Sequence, residues 1–472
     1  MKLWEFIKTK MLEHPNQTVC ENNAELSFEA LVIWAEAFAQ KLKGIKCCAV
    51  LCRSEMSAAM ALLGCFAAQV TALPLSMRYG ELHCNKILDT ISPDAVITDE
   101  NGQFTVGTLP GSTYAAPQAH PAIIMCTSGT TGSPKGVMLS ENNIICNVED
   151  IADYFNIGPE DYLLIARPLY HCAVLTGEFL TALIKGCKIR FYSEGFNPYK
   201  LSELISRHKI TALCGTPTLF EMMARLKHAP YGNTLARICI SGECMGRETA
   251  LRIAEAYPGT EIYHVYGLTE ASPRVAFLPP DKFKNYPDYV GVPLKSVSIK
   301  IMGPDGRACG KNEEGILWVK GKNVMLGYYR EPEKTKNAVR AGWLCTGDVA
   351  EINDDGFLKI KGRNDHMIIK SGMNIYPAEI ESALKTDPRV KEALAYGYKG
   401  RGGTQIGLKI VGDFESAAEV KRLCGDCLPS FQVPALIEIV DALPKNGSGK
   451  IIRGSMDEKK KKKAVAYSGR IS

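Results

Sequence analysis

The sequence predicts an α/β fold: mainly parallel, helix-covered sheets, then a small β-rich stretch, then a small α+β unit. Three observations predict it. Through about the first three hundred residues, apolar runs of strand length alternate with amphipathic stretches, the pattern of parallel sheets buried under helices. From about Val290 the texture changes to short strands and turns, and the last hundred or so residues return to mixed helix and strand. The chain has 472 residues, a length that accommodates about three domains of ordinary size, and it contains no internal repeat.

Residues 56–75 are free of charge and long enough to cross a bilayer. They are rich in alanine, however, and include Gly64, Gln69, Thr71 and Pro74, so they read as a buried helix followed by a short strand. Ala95-Val-Ile-Thr, Ala122-Ile-Ile-Met-Cys, Leu163-Leu-Ile-Ala, Lys188-Ile-Arg-Phe-Tyr, Ala212-Leu-Cys and Ile238-Cys-Ile are the next strands. Helical patterns over 198–207 and 248–256 lie among them. Gly303-Pro-Asp-Gly306 and Asn353-Asp-Asp-Gly356 are turn signals of the β-rich stretch, and residues 419–428 form a late helix.

Composition narrows the function classes. With 46% hydrophobic and 23% charged residues, the chain is neither disordered nor fibrous. Its net charge is only +5, and five lysines sit in one run over 459–463. Without that run the protein is nearly neutral, so nothing favours nucleic acid as a partner, and the run reads as a solvated tail. The 17 cysteines are odd in number and scattered, unlike a disulfide framework. The first ten residues mix charges into apolar positions and lack a signal-peptide core, so a reducing cytoplasm is expected, without stable membrane insertion.

The strongest local signal is Thr127-Ser-Gly-Thr-Thr-Gly-Ser-Pro-Lys-Gly136, directly after a predicted strand. Its glycines free the backbone for close approach, its amides and hydroxyls suit phosphate oxygens, and Lys135 adds positive charge. It is not a Walker loop, because Lys135 stands between Pro134 and Gly136. By composition alone a flexible Ser/Gly surface loop reads equally well. Further along come Arg167-Pro-Leu-Tyr-His171, Ser241-Gly-Glu243, Tyr266-Gly-Leu-Thr-Glu270, Gly342-Trp-Leu-Cys-Thr-Gly-Asp348, Gly362-Arg-Asn-Asp365 and Ser448-Gly-Lys450. Taken singly these are a core tyrosine, a helix start, a turn aspartate and a solvated linker.

These seven segments, in this order, resemble the adenylate-forming superfamily of acyl-CoA synthetases, peptide-synthetase adenylation domains and luciferases. The resemblance spans nearly the whole chain. It implies that Thr127, Ser128, Gly129, Thr130, Thr131 and Lys135 hold the phosphates of ATP. It places Gly242 and Glu243 beside the adenine, Tyr266 and Gly267 against the base, and Asp348 and Arg363 on the ribose. Thr269 and Glu270 serve the α-phosphate and Mg2+, and Lys450 stabilises charge during adenylation. His171, Val174 and Gly242 line the acyl pocket, and Gly372 borders a tunnel for pantetheine. Asp365 is the implied hinge between an N-terminal domain, 1–364, and a mobile C-terminal lid, 365–472.

Peptide-synthetase adenylation domains place an aspartate just after the position of His171 to hold an α-amine. Here Cys172-Ala-Val-Leu-Thr-Gly177 follows, with no acid before Glu178, so an amino acid is disfavoured. The expected substrate is a neutral carboxylic acid, aryl or short-to-medium acyl, with coenzyme A as the thiol acceptor. An acyl carrier protein is the alternative acceptor, because both end in pantetheine, and Asn374 stands where some synthetases have an arginine for the nucleotide 3′-phosphate. A non-catalytic nucleotide sensor and a luciferase-like oxygenation are the remaining readings. Cys424 and Cys427 have metal-pair spacing but no second pair nearby in sequence, so they read as bystanders.

Overall fold

The computed structural model describes residues 1–77, 81–100, 102–127, 134–192, 194–195, 197–226, 234–370, 373–400, 403–445 and 451–453. Its helices begin where the sequence supplies caps. The helix Pro198–His208 starts after Asn197, whose Oδ1 accepts from the Lys200 amide, and has proline at its first position. Leu201 and Ile205 bury one face of it. The helix Glu141–Tyr154 opens on a capping box between Ser140 and Asn143. The charge-free stretch is the buried helix Glu55–Ala67 followed by the strand Thr71–Pro74. No helix among the described residues is long and apolar enough to cross a membrane.

Two large sheets dominate. The nine-stranded sheet runs, in spatial order, Val292–Pro293, Arg274–Leu278, Glu261–Gly267, Arg237–Ile240, Ala212–Gly215, Tyr162–Ile165, Lys188–Phe191, Thr18–Glu21, Ala24–Ser27. Its six inner strands, from Glu261–Gly267 to Thr18–Glu21, are parallel, and the strands beyond them are antiparallel. The seven-stranded sheet runs Gly327–Tyr328, Lys135–Leu139, Ile123–Thr127, Thr71–Pro74, Cys47–Val50, Ala95–Glu100, Gln103–Thr108. There too a parallel centre is flanked by antiparallel strands. The inner strands Cys47–Val50, Thr71–Pro74 and Ala212–Gly215 are buried at every residue, as sheets covered on both faces require. The expectation of mainly parallel sheets therefore holds for their centres, and the edges add antiparallel pairs.

The β-rich stretch is a five-stranded antiparallel sheet of Val297–Met302, Gly315–Gly321, Val339–Arg340, Trp343–Ile352 and Leu358–Arg363. Beyond it, the strands Val390–Gly400, Gly403–Gly412 and Leu436–Ile439 pack with the helices Pro377–Leu384 and Ala417–Cys427. This last unit has its own apolar core, including Ile380, Leu384, Leu408, Ile410, Val420 and Cys424. It touches the larger unit through an ion pair from Lys385 to Glu221, 3.6 Å, and a bond from Arg225 Nη1 to the Val390 carbonyl, 3.3 Å.

Candidate active site

The phosphate-type loop joins two antiparallel strands, Ile123–Thr127 and Lys135–Leu139, with Thr127 directly opposite Lys135. Ser128, Gly129, Thr130 and Thr131 lie outside the described residues, as do Gly372 and Lys450. Lys135 leaves the loop with its ammonium 5.3 Å from the centre of the Tyr328 ring. The Tyr328 hydroxyl in turn donates to Glu270 Oε1 at 2.9 Å. Glu270 and Thr269 occupy a short 3-10 turn, Thr269–Ala271, where the backbone leaves the strand Glu261–Gly267. The Glu270 carbonyl is held by the Met325 amide at 2.9 Å. The turn is tight: a Cβ on Gly267 would fall 2.0 Å from the Pro273 carbonyl oxygen, so only glycine fits.

Tyr266, last but one in that strand, donates its phenol to Asp348 Oδ2. Burial pushes the Tyr266 phenol well above its ordinary range, and the Asp348 charge adds to this, so the proton stays on the tyrosine. The sequence suggests that Asp348 lies in a turn; it lies inside the ten-residue strand Trp343–Ile352. Against the strand Gly315–Gly321, the register shifts: Trp318 faces Cys345 and Ile316 faces Val349. The Gly347-Asp348 pair, with Gly347 at φ +74°, is therefore a bulge, not a chain reversal. The bulge aims the carboxylate toward Tyr266.

On its other side Asp348 Oδ1 stands 3.6 Å from Arg363 Nη1, which also donates to the Thr346 carbonyl at 3.0 Å. Burial alone would lower the Arg363 pKa, but the carboxylates of Asp348 and Asp365 outweigh it and raise it. Arg363 Nε is 3.2 Å from Asp365 Oδ1, so the residue expected as hinge is tied to the residue expected on the ribose. Asp365 lies in the short turn Asn364–His366, directly before the C-terminal unit.

Glu243, expected beside the adenine, and the expected acyl residues His171, Val174 and Gly242 lie on other segments. Glu243 accepts from the Thr218 hydroxyl at 2.7 Å, and Gly242 is exposed beside it. His171 stacks on Tyr170, ring centres 4.1 Å apart, ahead of a π-helical turn, Leu175–Leu180. Val174 is fully buried in the main core. Beneath Gly242 runs Arg167, which bonds Glu178 at 2.5 Å and reaches Ser241 Oγ at 3.5 Å.

The sequence reading gave no role to Tyr328, Thr346, Thr218 or Arg274. Arg274 carried a signal, a cation opening the otherwise apolar run Arg274-Val-Ala-Phe-Leu. Among the described residues no three acidic, histidine or cysteine side chains cluster as a metal site. Cys424 is buried in the C-terminal core, as a bystander would be. None of the 17 cysteines is in a disulfide.

Residues 7–329 match the model of the AMP-binding enzyme family, and residues 379–450 match the AMP-binding enzyme C-terminal domain. A feruloyl-CoA synthase from Amycolatopsis sp is 32% identical over 345 residues, covering 71% of this chain and 69% of the relative. A 2-succinylbenzoate–CoA ligase from Geobacillus kaustophilus is 30% identical over 455 residues, covering 91% of each. Among solved structures, an O-succinylbenzoate coenzyme A synthetase from Bacillus subtilis in complex with AMP superposes with a TM-score of 0.82 at 26% identity, covering 96% of this chain and 98% of that one. The same synthetase, in complex with ATP and a magnesium ion, superposes with a TM-score of 0.81 at 26% identity, covering 95% and 98%.

Proposed function

The chain belongs to the AMP-binding enzyme family, and from that premise we propose that it is an AMP-forming acid–coenzyme A ligase. The observation that carries the reading is the convergence of Tyr266, Asp348, Arg363, Glu270 and Lys135 from four separate chain segments. One side of that group offers an aromatic ring, a carboxylate and a guanidinium, which suits a nucleoside. The other offers a carboxylate and an ammonium, which suits phosphates.

In the first half-reaction a substrate carboxylate oxygen attacks the α-phosphorus of ATP. The bond from that phosphorus to the bridging oxygen breaks, and pyrophosphate leaves with the electron pair. No general base is needed, because the carboxylate is already ionised. Asp348 accepts from the ribose hydroxyls while Tyr266 holds it in place and faces the base. Thr269 orients the α-phosphate. Glu270 is the residue that would hold magnesium; one hard carboxylate oxygen beside bound phosphates is the donor set that this ion takes, and its charge offsets theirs. Lys450 stabilises the charge that develops between carboxylate and α-phosphate, a contribution of about 3–4 kcal/mol by analogy with a lost oxyanion donor.

In the second half-reaction a pantetheine sulfur attacks the acyl carbon, and AMP leaves with the electron pair of the acyl–oxygen bond. The C-terminal unit, 365–472, turns about Asp365 between the two steps, withdrawing Lys450 and bringing Gly372 to the thiol path. Its separate core supports such a rigid-body motion. The named relatives form coenzyme A thioesters, which favours free coenzyme A over a carrier protein as acceptor.

Incubating the enzyme with ATP, magnesium, coenzyme A and a panel of fatty and aryl acids tests the proposal. AMP and an acyl-coenzyme A are the expected products. A thioester formed only on a phosphopantetheinylated carrier protein replaces the acceptor, and hydrolysis-free nucleotide binding with no product from any acid contradicts catalysis.

A further inference from the structure

The chain is fastened on both sides of Lys450 to one strand, Val390–Gly400. Lys445 and Ile451 form an antiparallel bridge, and the Ile452 amide donates to the Pro444 carbonyl at 2.8 Å. These two rungs frame residues 446–450, which lie outside the described residues. From one side of this stem the Lys445 ammonium pairs with Glu392 of the strand. From the other side Arg453 Nη2 pairs with Glu381, and Arg453 Nη1 donates to the Ala395 carbonyl of the strand at 3.4 Å.

Glu381 completes the arrangement. It is 9% exposed, on the helix Pro377–Leu384. One of its carboxylate oxygens accepts from the Ala395 amide at 2.8 Å, and the other accepts from Arg453. Acid, arginine and the backbone of Ala395 therefore form a closed ring of hydrogen bonds. Val390–Gly400 is an outer strand of its sheet, where backbone groups need partners other than a neighbouring strand. Burial pushes the Glu381 carboxyl up and the Arg453 charge works against that, so the acid relies on the arginine.

The same helix is seated on the larger unit. Ser382, next to Glu381, packs so closely on Gly246 that a Cβ there would collide with its Oγ. Lys385, one residue past the helix, reaches Glu221 at 3.6 Å. Gly246 caps the helix Arg247–Ala256, three residues after Glu243, which is expected beside the adenine. Contacts thus run from the larger unit through Ser382 and Glu381 to Arg453, three residues from Lys450.

We propose that Glu381, Arg453, Glu392 and Lys445 are positioning residues for adenylation: their two ion pairs hold the stem so that Lys450 meets the α-phosphate. The inference rests on the ligase reading and deepens it, since the four residues act only through Lys450. Glycine and serine restrict a backbone little, so a link of Asn-Gly-Ser-Gly takes its geometry from what fixes its ends. Fixing the stem removes part of the entropy of placing the ammonium before the reaction begins. The four side chains grip their own unit rather than nucleotide or acid, so their loss should act on kcat and leave KM alone.

The test measures both half-reactions in Arg453→Gln, with the acid that the wild type turns over best. One is acid-dependent exchange of labelled pyrophosphate into ATP; the other is thioester formation from the preformed acyl-adenylate and coenzyme A. The exchange kcat should fall by about 10- to 100-fold, the upper figure being the cost of a misplacement of about 1 Å. KM for ATP and the rate of the thioester step should stay within about twofold of wild type. Arg453→Lys should keep more exchange than Arg453→Gln, because it keeps a cation on Glu381. Lys445→Gln loosens the other end of the stem and should show the same split, so poor folding of one variant does not shield the proposal. Equal losses in both half-reactions, or exchange near the wild-type rate in both folded glutamine variants, overturn it while wild-type exchange upholds the ligase reading. If the wild type shows no exchange with any acid, the ligase reading falls and this inference falls with it.

Discussion

The phenol of Tyr266 donates to the carboxylate of Asp348, joining a strand of the nine-stranded sheet to the bulged strand of the five-stranded one. Asp348 is fixed further by its own amide, which donates to Thr346 Oγ1 at 3.0 Å. A hydrogen bond to a charged group contributes about 1.5–3 kcal/mol. Tyr266→Phe keeps the ring but frees the carboxylate, so KM for ATP should rise by about 10-fold or more. Asp348→Asn should cost more, because it removes the charge of the acceptor proposed for the ribose and leaves only a neutral amide oxygen. Equal KM values for the wild type and both variants in steady-state kinetics contradict the assignment.

Burial alone would push the Glu221 carboxyl up; Lys385, Arg252 and Arg225 together outweigh it and hold it low. Of these, Lys385 is the one that comes from the C-terminal unit. Lys385→Ala leaves Glu221 paired with Arg252 at 2.6 Å and Arg225 at 3.2 Å, so stability should change by less than about 1 kcal/mol. The ratio of adenylation to thioester formation should shift instead, because the docked orientation loses a contact. Single-turnover measurement of each half-reaction checks this; equal changes in both, or none, count against domain rotation as the cause.

Removing Glu178 should be severe. Glu178→Ala leaves Arg167 buried without its acid, a kind of change that costs about 3–5 kcal/mol. Urea unfolding of the variant measures it. A loss under about 1 kcal/mol would mean that Arg167 is satisfied elsewhere.

His264 is buried in the strand Glu261–Gly267, and burial lowers its pKa to about 4. An unfolded histidine titrates near 6.5, so between these values the unfolded chain binds more protons. Stability should fall as pH drops from about 6.5 toward about 4, by about 3 kcal/mol in total from this residue. His264→Gln should flatten that part of the profile in thermal melts across pH. An unchanged slope contradicts a buried neutral histidine.

Burial holds the thiols of Cys126 and Cys172 up at about 12. Brief iodoacetamide treatment at neutral pH should therefore modify exposed Cys244 and spare these two. Peptide mapping reads the order, and labelling of Cys172 as fast as Cys244 contradicts it.

Local rules made much of this fold legible. The helix over 198–207 and the buried runs near residues 95, 123, 163, 212 and 238 are each written in neighbouring residues. The antiparallel outer strands were not, because Lys135–Leu139 and Arg274–Leu278 resemble any apolar run until a partner is known. Asp348 was misplaced for a similar reason: glycine–aspartate marks a positive-φ position, and a bulge uses one as readily as a turn. The order of motifs pointed to the nucleotide residues. The Arg167–Glu178 pair stayed hidden, since its charges meet only after the sheet and the π-helical turn have formed.

The decisive measurement is exchange of labelled pyrophosphate into ATP, with magnesium and a panel of mono- and dicarboxylic acids, in the absence of any thiol. Acid-dependent exchange is the expected result, lost in Asp348→Ala and in Lys450→Ala, while Lys450→Ala still converts a preformed acyl-adenylate and coenzyme A to thioester. Exchange that persists near the wild-type rate without Lys450, or no exchange with any acid, would contradict adenylation by this site.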